Sequence, residues 1–147
     1  MAGDYRHTQF GGTTLVVLGV SVALAIAVNE TSARGAATLG LQLVLLACIA
    51  LFYCLRVEVD DRFVTVRFGV GVIRRHFPLA DIVSVRTVRN RWYHGWGIRR
   101  IRRGWMFNVS GLDAVEITTS GGKNYRIGTD EPGALKREIE RRIRRFE

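Results

Sequence analysis

Two uncharged apolar runs near the N-terminus constrain this chain more than any other feature. From Thr13 to Val28 (TTLVVLGVSVALAIAV) there is no charge, and from Ala36 to Leu55 (AATLGLQLVLLACIALFYCL) only Gln42 is strongly polar. A helix rises about 1.5 Å per residue and a bilayer's hydrocarbon core is about 30 Å thick. The second run reaches that length by itself, and the first does so if Phe10, Gly11 and Gly12 are counted. Neither run carries an amphipathic stripe that would cover it in a small core. The reading is therefore a membrane α-helical hairpin, with spans at about 11–28 and 36–55 inside an N-terminal unit of residues 1–55.

Charge divides the chain at the same place. Residues 1–55 hold Arg6 and Arg34 against Asp4 and Glu30, whereas residues 56–147 hold the other 20 basic residues against 11 acidic ones. Arg56, Arg62 and Arg67 follow the second run directly, and the positive-inside bias then predicts a multi-pass protein of the inner (plasma) membrane with a cytoplasmic C-terminal domain. Gly19, Ala23 and Ala27 recur every four residues and offer a strip where another helix can approach closely. The second helix of the hairpin is the first candidate for that approach, and a homodimer the second. Cys48 and Cys54 lie in one apolar stretch and read as packing residues, with no disulfide or metal between them.

After Leu55 the pattern changes to alternation with period two. Val57 and Val59, then Val64, Val66 and Phe68, predict two strands, and Gly69-Val70-Gly71 a hairpin turn into a strand over 72–77. Further strands are expected at 82–88, 105–109, 114–119 and 123–127, about seven in all. A helix over 131–146 should follow, capped by Thr129 or Asp130, with Pro132 in its first turn and Leu135, Ile139, Ile143 and Phe146 as its buried stripe.

Four stretches suggest a family: Phe77-Pro78-Leu79-Ala80-Asp81-Ile82, Gly95-Trp96-Gly97-Ile98-Arg99, Gly104 through Gly111 (GWMFNVSG), and Ile127-Gly128-Thr129-Asp130-Glu131-Pro132. With the strand order and the hairpin ahead of it, residues 56–147 resemble the bacterial membrane-anchored pleckstrin-homology-like proteins. The resemblance implies a mainly β, partly open barrel or sandwich closed by a C-terminal helix. It implies no single ligand, since such domains include lipid binders and protein-interaction modules.

No catalytic constellation emerges. His7, His76 and His94 are scattered, no zinc spacing occurs, and Gly95-Trp96-Gly97 lacks the third glycine of a nucleotide loop. No cofactor is expected. The informative stretch is 86–111, which contains seven arginines and no acid. Within it Arg89, Arg91, Trp92, Trp96, Arg99, Arg100, Arg102 and Arg103 form the candidate binding set, arginines for phosphate and indoles for interfacial depth. The expected function is non-enzymatic binding of anionic phospholipid head groups or a protein partner, with an assembly subunit or homo-oligomer as the alternative. Nucleic acid would use the same residue types but is the weaker fit beside apolar segments.

Overall fold

The computed structural model describes residues 5–31 and 35–145. Among these residues nine strands form two sheets. The first runs in the order β1 (Tyr5–Phe10), β2 (Cys54–Val59), β3 (Phe63–Phe68) and β4 (Ile73–Pro78), antiparallel throughout. The second joins β5 (Ile82–Arg89), β6 (Gly97–Ile101), β7 (Gly104–Asn108), β8 (Asp113–Thr119) and β9 (Asn124–Gly128) in the spatial order β5-β8-β9-β7-β6, with β7 and β9 parallel.

The sheets face each other because alternation points one row of each inward. Leu55, Val57 and Val59 pair with Phe68, Val66 and Val64, all nearly inaccessible to solvent. They meet Phe107, Val115, Ile117 and Ile127 from the second sheet. Helix α3 (Pro132–Ile143) lays Leu135 and Ile139 on this core, with Ile143 half-buried beside them, and packs on β5, β8 and the 3-10 turn Leu79–Asp81. Phe146 lies outside the described residues. The helix also buries a charge: Arg142 donates from Nε to Glu138 Oε1 at 2.9 Å and from Nη1 to Asp61. Burial alone would raise the Glu138 carboxyl, but Arg141 and Arg142 hold it below the usual carboxylate range.

Helices α1 (Gly12–Thr31) and α2 (Gly35–Phe52) form an antiparallel pair inserted between β1 and β2. The expected transmembrane hairpin is not borne out. Among the described residues, no helix is long and apolar enough to cross a membrane. α2 stops at Phe52 after 18 residues, about 27 Å against the about 30 Å required. Cys54 and Leu55, counted into the second span, are buried in β2. In α1, polar Thr13 and Thr14 at one end and Asn29, Glu30 and Thr31 at the other leave only Leu15–Val28 wholly between them, about 21 Å of helix. The multi-pass inner-membrane placement and its cytoplasmic orientation fall with the spans they rested on. The small-residue strip is corrected too. Gly19, Ala23 and Ala27 are exposed, while Leu15, Leu18, Val22 and Ala25 are the less accessible side of α1.

The pleckstrin-homology-like expectation also changes. Among the described residues there are nine strands rather than about seven, one pairing is parallel, and a helical pair interrupts the first sheet. The two unforeseen strands are β1, ahead of the first apolar run, and β6, within the basic stretch 86–111.

Candidate functional site

Hydrogen bonds to backbone carbonyls seat the helical pair on the sheets. Gly11 N donates to Tyr53 O at 2.8 Å, Thr14 Oγ1 to Val109 O at 2.8 Å, and Gln9 Nε2 to Ser110 O at 3.1 Å. At the other side Val70 N donates to Ala50 O at 3.3 Å. Gly69, with φ of +47°, lies so close that a Cβ there would collide with the Ala50 and Leu51 carbonyls. No side chain fits, so the β3–β4 turn can clasp the end of α2.

This seating leaves a groove of about 880 Å³ between the helices and the edge of the second sheet. Val17 and Leu18 of α1 and Cys48 and Phe52 of α2 form its apolar wall. Trp96, Ile98, Arg99 and Arg100 face them from β6 and the turn before it. The Arg99 guanidinium lies over Gly95, where a Cβ would stand 3.2 Å from Nη2. Neither Arg99 nor Arg100 has a carboxylate partner among the described residues. The groove is therefore apolar on one side and cationic on the other, which suits an amphiphile with an anionic head.

Of the eight residues singled out in the sequence, the structure brings Trp96, Arg99 and Arg100 together in this groove. The others lie elsewhere. Arg89 ends β5, its Nε 4.0 Å from Asp113 Oδ1. Arg91 donates to the Tyr93 hydroxyl at 2.7 Å and sits 5.7 Å from that ring's centroid. Trp92, beside it, is 80% exposed and touches Tyr93 edge-on. Arg102 and Arg103 stand at the β6–β7 turn, near a row that crosses three strands.

That row is Arg86, Glu116 and Arg126, in register on β5, β8 and β9. Glu116 is 1% exposed. It accepts from Arg86 Nε at 2.8 Å and from Arg126 Nε at 2.6 Å, and Arg126 also reaches Asn90 Oδ1 at 3.3 Å. Burial raises the Glu116 carboxyl, but the two guanidiniums outweigh it and hold it below the usual range. These arginines are spent on structure, unlike Arg99 and Arg100.

Sequence reasoning missed the helical wall of the groove. Val17, Leu18, Cys48 and Phe52 carry no polar signal, and only the insertion between β1 and β2 brings them opposite β6. Among the described residues, no three His, Cys, Asp or Glu side chains stand together as metal ligands. No family model, no curated protein and no solved structure matches this chain, so the resemblance to pleckstrin-homology-like proteins finds no support there either.

Proposed function

We propose that this protein is a non-enzymatic binding module for anionic phospholipid, with the head group held by Arg99 and Arg100 and the acyl part against α1 and α2. The observation that carries the reading is the groove itself: Arg99 and Arg100, both without a carboxylate partner among the described residues, border a space large enough for a ligand opposite an apolar helical wall. The apolar residues Val16, Val20, Leu24, Leu43 and Val44 are more than half exposed on the same helical pair, giving acyl chains a wider surface to cover.

Co-sedimentation of the full-length chain with phosphatidylglycerol and with phosphatidylcholine vesicles tests this. The whole chain is required, because β1 and the start of β2 lie outside residues 56–147. Each arginine near an anionic lipid surface contributes about 1 kcal/mol. Arg99→Gln with Arg100→Gln should then weaken phosphatidylglycerol binding about 30-fold at low salt. Arg102→Gln with Arg103→Gln should do less. Parent-like binding by the first double variant would sink the reading.

A second reading, a self-assembling subunit, draws on the exposure of Gly19, Ala23 and Ala27. Gly19 has open space around it, so Gly19→Leu would block a close helix contact without disturbing the fold. A mass measurement showing that the variant dissociates an assembly formed by the parent would favour this reading.

A further inference from the structure

The two sheets do not close at every edge. Among the described residues, β4 pairs only with β3, and β6 only with β7, so both present free edges at one side of the sandwich. Between them lies a cleft of about 290 Å³ that is distinct from the helical groove, although Ile98 borders both. Phe68 and Phe107 form its back, their ring centroids 6.1 Å apart, and Val66 lies beside them. Ile73 and Trp105 stand nearer the opening, Trp105 being 43% exposed.

Charge at the mouth is one-sided. Arg74 and Arg75 border the cleft, and neither has a carboxylate partner among the described residues. Arg75 occupies an inward register position, opposite Val66 and between Ile73 and Phe77 along the strand. An inward charge on an edge strand discourages pairing with another chain. That protective role accounts for the position of Arg75 but not for the apolar cleft walled by Phe68, Phe107 and Trp105 behind it.

From these observations we infer that the cleft is a second binding site, for a single alkyl chain ending in an anionic group. The head meets the Arg75 guanidinium on the inward face, with Arg74 adding positive charge at the rim, and the tail enters between Phe68, Phe107 and Trp105. Charge complementarity selects the head, because no acidic residue lines the cleft. Size favours a single tail: the cleft measures about 290 Å³ against about 880 Å³ for the helical groove. A two-chain phospholipid is too large for it, which separates this site from the helical groove.

Trp105 provides the measurement. The chain has three tryptophans, so Trp92→Phe with Trp96→Phe in the full-length protein leaves Trp105 as the sole indole, at the mouth of the cleft. Decanoate brominated near its tail end should quench Trp105 saturably. Arg74→Gln with Arg75→Gln, both at exposed positions, should raise the half-saturating concentration at least tenfold. Decanol should bind at least tenfold more weakly than decanoate, and inorganic phosphate should not displace the brominated chain. Absence of saturable quenching would overturn the inference, as would equal half-saturation in the arginine variant. Displacement by inorganic phosphate at comparable concentration would reduce the site to an anion contact and also overturn it. Equal quenching by a brominated two-chain phosphatidylglycerol would do the same, showing a surface rather than a cleft. The helical groove is judged separately, since Arg74→Gln with Arg75→Gln leaves Arg99 and Arg100 in place for the vesicle assay.

Discussion

Helix α3 and the α1–α2 pair use apolar residues in opposite ways. In α3 the apolar residues fall on one stripe, Leu135, Ile139 and Ile143, and that stripe is covered by β5 and β8. In α1 and α2 apolar residues occur on every side, so one stripe of each helix meets the other and the rest faces outward. Composition alone would rank the pair as the better-buried element. What decides is the direction in which side chains point and whether a sheet lies there to receive them.

The contrast is broken most forcefully by one charge placed on each side. Ile139→Asp puts a carboxylate where nothing can pair with it, and should cost about 3 kcal/mol or more in thermal or denaturant unfolding. Val16→Asp, at a position 66% exposed on α1, should stay within about 0.5 kcal/mol. Comparable losses would show that the helical pair is packed as tightly as α3.

The joint between helices and sheet comes next. Gly69→Ala forces a Cβ onto the Ala50 and Leu51 carbonyls at positive φ, and should cost about 1–3 kcal/mol. Gly71→Ala has positive φ but open surroundings, and should cost about 1 kcal/mol. Similar values for both would mean that the turn does not clasp α2.

Glu116→Gln sharpens the comparison from the sheet side, since it removes the negative charge and leaves one acceptor oxygen where two served the guanidiniums, and should cost about 1–3 kcal/mol at neutral pH. The sign with pH follows from the depressed folded-state carboxyl. Its contribution is complete above the ordinary glutamate value of about 4.5 and is lost as pH falls through the lower folded value. The gap between parent and variant should therefore shrink on acidification, and a gap that widens below pH 4 would contradict the assignment. A small effect is also expected for Arg141→Asp. Arg141 is half-exposed and pairs with Glu138 at 2.6 Å, so loss of the pair should change stability by about 1 kcal/mol or less.

The strands with alternating valines, β2 and β3, were legible because one face of each is buried and the period of two survives in the sequence. β6 was not, since Arg99-Arg100-Ile101-Arg102-Arg103 hides the alternation that an edge strand with one solvated side does not need. β1 hid for the same reason, its polar YRHTQF pairing with β2 only. Of the candidate site, the arginine and tryptophan side was readable from residue type, but not which arginines were free. Glu116 and Arg142 look like members of a solvated face, and only cross-strand register and the reach of Asp61 reveal them as buried. The uncharged N-terminal runs gave the clearest signal and the wrong expectation. Their helices end where strand pairing begins, at Phe10 and Cys54, which periodicity within the runs could not disclose.

The position of β1 bears on how the chain folds in time. Tyr5 pairs with Val59 and Phe10 with Cys54, so the first strand must wait for a partner more than 40 residues away. Closing so long a loop is entropically slow when the intervening chain is free. Here α1 and α2 shorten the search, because once they lie antiparallel the residues at their outer ends, Gly11 and Tyr53, are already within hydrogen-bonding distance. The helical pair thus acts as a splint during folding, and the first sheet should zip outward from the Phe10–Cys54 end.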